Sequence, residues 1–443
     1  MSMKKFAPSR SNMRTPKQQR GVGTLVISLI LLISMTLIAF FANKSLLFEQ
    51  KTSANQMRST TAFEAAEAGL EWATSMLNDV RYIDTNCTTV GTNTQSFRSK
   101  YLPYSAAAGF APVSTAFPGC SMSDASGSPM LSCACPASGT SLASSNNPSF
   151  TVEFKPVNST TLPGTTPDKE SVLVTAYGCT SAVAPCVPHL LAPTEADAFQ
   201  SVSVILKLRP ALRSVPASAV TTGGSLQLTS AASSISNTDG DANGTLVNAG
   251  GRINSVAVAG CTGSFKDFKT TSTLPGTPWQ NSMIANDTSL SALSANSDAM
   301  FNSYFGTTIE QFKADTSTKN LTSCGTVEND YVAAFNQGYR AFYTTCYFQT
   351  NNDLGSNASP IIFVTTNGLK FNGGADIYGL IYGDQATWDE VGAGNGSING
   401  ALIVRGNYCA NANADYNYRG DLLKNIRGLT GTMARIPGSW KDF

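Results

Sequence analysis

Hydrophobic and polar positions follow three regimes along this chain. Residues 22–43, VGTLVISLILLISMTLIAFFAN, carry no charge, and Lys4, Lys5, Arg10, Arg14, Lys17 and Arg20 precede them with no acid among them. About 20 apolar residues in a helix span a bilayer core, whereas a secretory signal core is shorter, about 7–15 residues. The basic flank keeps the first twenty residues in the cytoplasm and sends the rest outward. A membrane helix is therefore expected, rather than a soluble core helix or a discarded signal. Beyond it, Phe63, Ala66, Leu70, Ala73 and Leu77 recur at steps of three and four, with Glu64, Glu67 and Glu71 on other faces. That is one apolar stripe of a helix. The pattern predicts a single helix to about Val80, roughly 58 residues and on the order of 85 Å at 1.5 Å per residue.

The second regime has period two. FTVEFKPV from Phe150, then ESVLVTAYGCT, then FQSVSVILKLRP alternate, the last with Val202, Val204, Leu206 and Leu208 against Ser203, Ile205, Lys207 and Arg209. These strands predict an antiparallel sheet over 150–210, closed by Pro210 and packed on the helical stripe. Residues 22–210 then read as a complete helix-and-sheet unit, with the helix over 22–83. The intervening 84–149 is rich in Ser, Ala, Gly and Pro without periodicity, and is expected to be an irregular loop pinned by cysteines.

The third regime is short aliphatic runs separated by Gly and Asn. Ile377-Tyr378-Gly379-Leu380-Ile381 recurs as Ile398-Asn399-Gly400-Ala401-Leu402 at an offset of 21 residues, and Ile253–Val258 reads as an earlier copy. Coils of this length with inward aliphatics and small residues at the bends predict a β-solenoid over 211–260 and 360–410. Residues 261–359 read as an insertion with a helix through Leu290, Leu293, Met300 and Phe301 that TTIEQFKAD continues. Residues 411–443 read as a C-terminal tail. The expected fold class is α+β: a long N-terminal helix on an antiparallel sheet, followed by a β-rich, solenoid-like domain with a partly helical insertion.

Charge and cysteine content narrow the function. Lys and Arg number 30 against 29 Asp and Glu, and without the six basic residues at the N-terminus the balance is −5. A basic nucleic-acid-binding exterior is not expected. The ten cysteines, Cys87, Cys120, Cys133, Cys135, Cys179, Cys186, Cys261, Cys324, Cys346 and Cys409, all lie beyond the membrane run, on its outward side. An even number in an oxidising compartment reads as disulfides. Cys179 and Cys186 would close a small loop. Cys133 and Cys135 would take different partners, Cys87 and Cys120 among them. Cys324 would pair with Cys346 and Cys261 with Cys409. A zinc or iron–sulfur site is not expected, because His189 is the only histidine.

QQRG followed by VGTLVISLILLISMTLIAFF resembles a type IV prepilin leader and its N-terminal helix. AFEAAEAGLEWA, from Ala62, resembles the PilX-type minor pilins, typically "AFQAAEAAL". The likeness covers roughly residues 17–80. It implies a cytoplasmic leader over 1–21, cleavage by a prepilin peptidase after Gly21, and methylation of Val22. It implies an inner-membrane protein with one span, a periplasmic C-terminal domain, and later an extracellular pilus. The implied partners are other pilins and minor pilins, and a large tip adhesin. Adhesion, twitching motility or DNA uptake would come through the whole filament. Most pilins carry Glu at the fifth mature position, where this chain has Val26. A subunit that need not dock onto one above it can lack that acid, so a tip-proximal minor pilin is expected. A surface-binding module on the pilus and a pseudopilin of a type II secretion system are the alternatives.

Catalytic signatures are missing. The sequence holds no G-x-S-x-G, H-E-x-x-H or P-loop, and an enzyme is not expected. Asp239, Asp241 and Asn243 make an oxygen-rich stretch that would suit a weak Ca2+ loop, although EF-hand spacing is lacking; no other cofactor is expected. The aromatics of 331–348 with Tyr408, Tyr416 and Tyr418 would fill a core or line a binding face.

Overall fold

The structure, a computed structural model, describes residues 22–89, 94–123, 130–139, 142, 147–162, 166–181, 186–187, 198–272, 282–371, 374–390, 395–410 and 413–442. Helix α1 is unbroken from Val22 to Asn78. The chain divides into two units, residues 1–58 and 59–443. In the first, every residue from 23 to 58 is exposed, as expected for a helix whose apolar surface has no partner within the chain.

In the second unit, the stripe of α1 meets a sheet. Ala62, Ala66, Leu70, Ala73 and Leu77 are buried. Small residues let the two backbones approach closely: a methyl group on Gly178 would lie 2.0 Å from the Ala62 carbonyl oxygen. Residues 84–149, expected to be irregular, instead hold α2 (Phe97–Tyr101), a small hairpin of β1 (Tyr104–Ser105) and β2 (Gly109–Phe110), then β3 (Gly119–Ser123) and β4 (Met130–Ala134). β3 and β4 join the sheet of β5 (Ser149–Val157), β6 (Asp168–Cys179) and β7 (Phe199–Arg209), all antiparallel. Val202, Val204, Leu206 and Leu208 face inward on β7, and the strand stops before Pro210. The α2 rings complete this core: Phe97 packs 5.3 Å from Trp72, and Tyr101 stacks on Phe154.

Then comes a parallel solenoid. Its N-terminal coils contain β8 (Val220–Thr222), β9 (Leu226–Leu228), β10 (Ser234–Asn237), β11 (Val247–Ala249), β12 (Lys269–Ser272) and β13 (Met283–Ile284). Three short helices follow, α3 (Thr288–Ser294), α4 (Ser297–Phe305) and α5 (Ile309–Ala314). The C-terminal coils contain β14 (Thr318–Leu321), α6 (Val327–Gln337), β15 (Ala341–Thr344), β16 (Phe348–Thr350), β17 (Ile361–Thr365), β18 (Leu369–Phe371), β19 (Asp376–Gly383), β20 (Thr387–Glu390), β21 (Ser397–Val404), β22 (Asn407–Ala410) and β23 (Asp415–Tyr418). β19 and β21 pair in register over eight residues, Ile377 opposite Ile398 and Gly379 opposite Gly400. That register is the 21-residue echo of the sequence. Two expectations are corrected. Residues 253–258 form no coil strand; Ile253 makes one bridge to Leu226 and Val256 is exposed. The supposed insertion is coil from β14 onward, because β14, β15 and β17 are successive parallel neighbours.

The coil order is not the chain order. Beyond β21 the next rung comes from two distant segments: β23 pairs with its first half and β8 with its second. From there β10 and β12 continue one row, and β11 and β13 the other. The chain thus enters the solenoid at its middle, winds to one end, crosses back through α3–α5, and winds from the other end to the same middle.

The last segment is no tail. α7 (Gly420–Leu429) buries Leu422, Leu423 and Ile426, and packs on β19, β21 and β1. Then β24 (Thr432–Arg435) pairs antiparallel with β7, Thr432 opposite Arg209, and Met433 enters the helix–sheet core. Residues 22–210 are therefore incomplete without β24. The solenoid, residues 210–431, is looped out between two hydrogen-bonded neighbours of the first sheet.

Candidate functional site

The surface with the clearest functional character is the first half of α1. Leu25, Val26, Ile27, Leu29, Ile30, Leu31, Leu32 and their successors to Phe48 present large apolar side chains to the outside. The polar residues within the run are self-contained. The hydroxyls of Ser28, Ser34 and Thr36 donate to the carbonyls of Leu25, Leu31 and Ile33, each at 2.9 Å. Hydroxyls satisfied by their own helix place no demand on water, which lipid requires. Such a rod can sit in lipid or against other apolar helices, because both surroundings are equally apolar. α1 begins at Val22, and Val26 lies exposed on its first turns. Gly21 and the side chain of Val22 lie outside the described residues, as does His189.

The second half of α1 is fixed to the sheet at its end. Asn78 accepts from the Met433 backbone N–H at 2.6 Å and donates to the Met433 carbonyl at 3.1 Å. Arg98 donates from Nε to the Leu77 carbonyl at 2.8 Å and from Nη2 to the Gly431 carbonyl at 2.9 Å. Burial lowers the Arg98 pKa to about 10. These contacts fasten the end of α1 to α2 and to the segment that enters β24. Nothing local in FRSKY or TMAR signals them.

Five disulfides brace the second unit: Cys87–Cys135, Cys120–Cys133, Cys179–Cys186, Cys261–Cys409 and Cys324–Cys346. Cys120 and Cys133 lie directly opposite on β3 and β4. The acidic stretch at 239–243 forms a single 3₁₀ turn that Asp239 caps by accepting from the Asp241 N–H, with Asn243 left-handed at its end. The Asp241 carboxylate pairs with Lys424, whose hydrogen bond holds it below the usual carboxylate range. Among the described residues no cluster of three metal-binding side chains occurs. The aromatics Tyr331, Phe342, Tyr343, Phe348, Tyr408, Tyr416 and Tyr418 are buried in the solenoid core; Tyr347 is exposed.

A long helix, apolar and bare at first and then laid on a disulfide-bearing antiparallel sheet, is an arrangement that resembles a pilin. The model of the PilX N-terminal family matches residues 20–71. That stretch takes in the whole apolar run of α1 and the first part of its buried stripe, and resembles the N-terminal segment of that family. Among solved structures the chain is similar to the competence-associated pilin ComZ from Thermus thermophilus, at 11% identity over 87% of this chain and 97% of that one, with a TM-score of 0.23. No curated protein matches the chain. Helix α1 is long and apolar enough to cross a membrane.

Proposed function

We propose that this chain is a minor pilin of a type IV pilus, held in the inner membrane by α1 until assembly and then drawn into the filament. The observation that carries this reading is α1 itself: unbroken, bare and apolar in its first part, and bound to the sheet by Ala62–Leu77 in its second. Cleavage after Gly21 frees the amine of Val22. With Val26 in place of an acid, the subunit offers no carboxylate to a neighbour's amine, which favours a position at or near the tip. Its partners are then other pilins below it and an adhesin beside or above it. Mass spectrometry of the exported protein's N-terminus tests the reading. A methylated Val22 is expected; an intact Met1, or a start beyond residue 41, would sink it.

The solenoid favours a second role on the same filament, as a surface-binding module. Its support is the insertion between β7 and β24, which keeps the pilin core outside the coils. Replacing residues 212–430 by a short turn, with β24 retained, separates the roles. Filaments that assemble but no longer attach support binding. Loss of filaments assigns the solenoid to assembly.

A further inference from the structure

A cleft of about 230 Å³ lies where the end of α1, the segment around α2, α7 and the start of β15 meet. Arg98, Arg340, Ser96, Ser99, Ser359 and Asp79 are among its lining residues. Two of these are buried arginines, at 5% and 7% exposure. Neither touches a carboxylate among the described residues. Arg98 spends Nε and Nη2 on two neutral carbonyls, and its Nη1 is buried with no hydrogen-bond partner among the described residues. Arg340 donates from Nη1 to the carbonyls of Phe335 and Tyr339 and from Nη2 to the Tyr82 hydroxyl, with its guanidinium 4.1 Å from the Phe335 ring. The Leu77 carbonyl belongs to the last turn of α1, whose partial negative charge offsets part of one cation only. Asp79 is committed to Arg81 at 2.6 Å. Asp315 acts on Arg98 through space, but its Oδ1 accepts from Ser317.

A buried guanidinium without a carboxylate in contact is costly. Two of them at one cleft form a recess short of negative charge. We propose that this cleft binds a small oxyanion, of the carboxylate or phosphate class, between Arg98 and Arg340. Arg98 Nη1 is the guanidinium nitrogen left without an acceptor among the described residues, and a charge-assisted hydrogen bond from it suits both groups. A water takes about 30 Å³, so the recess has room for several, or for one oxyanion with waters beside it. Arg98 belongs to the helix–sheet module and Arg340 to the solenoid, so a bound anion ties the two together.

The test uses the full chain in detergent micelles. Its melting temperature is followed against sodium phosphate and, separately, sodium acetate, each compared with sodium chloride at matched ionic strength. A saturable rise with either probe is expected, and the probe that gives it tells phosphate from carboxylate. Ser359→Glu sets a carboxylate beside Arg340, whose Nη2 lies 3.4 Å from the Ser359 hydroxyl. This variant should melt higher in chloride and lose the response. Arg340→Gln should lose the response without the gain, and is read in its place if Ser359→Glu does not fold. No rise beyond chloride with either probe overturns the proposal, as does an undiminished response in the variants.

Discussion

Gly379 and Gly400 carry the stacking of the solenoid. They sit at φ +134° and +149°, and a methyl group on Gly400 would lie 1.8 Å from the Gly379 carbonyl oxygen. Gly400→Val should therefore cost at least about 3 kcal/mol, through strained backbone and forced separation of the rungs. Urea unfolding of the full chain measures it. By contrast Arg435→Ala, which removes a 2.8 Å pair with a largely exposed Glu71, should cost less than about 1 kcal/mol. The same contrast governs what the sequence reveals. The glycines announce themselves because the coil repeats them 21 residues apart. Arg98 does not, because a basic residue in FRSKY reads like any solvated helix position and its acceptors lie 21 and 333 residues away.

Periodicity makes the second half of α1 and β5–β7 legible, because each sets apolar side chains at regular steps toward one shared core over a long enough run to show it. β3 and β4 escaped notice for a physical reason. GCSMS alternates over only five residues and MLSCA does not alternate, and their pairing is secured by neighbouring strands and a cross-strand disulfide rather than by an apolar row. Two predictions belong to elements. Leu31→Arg, in the middle of the apolar run, should raise the cost of insertion by about 2.5–3.5 kcal/mol and reduce the membrane-bound fraction on sedimentation. Cys261–Cys409 joins an N-terminal coil to a C-terminal one across 148 residues. Replacing both cysteines by alanine should lose about 2–4 kcal/mol, read as a lower urea midpoint.

The hardest relation to see in the sequence was the largest. β7 and β24 are neighbours with the whole solenoid between them, and no local pattern in residues 411–443 reports a strand destined for a sheet two hundred residues back. A chain ending at Tyr418 keeps every coil strand yet lacks β24, Met433 and the Gly431 acceptor of Arg98. Its helix–sheet module should lose protease resistance even though residues 22–210 are untouched, as limited proteolysis with N-terminal sequencing would detect. The double attachment also has a mechanical meaning. Tension applied to the coils reaches the sheet along two leads, one covalently continuous through β7 with α1, the other ending in β24, which holds to β7 by its ladder of hydrogen bonds. A single cut in either lead leaves the coils tethered through the other, and one cassette of coils can be exchanged for another at the same two splice points without redrawing the helix–sheet module.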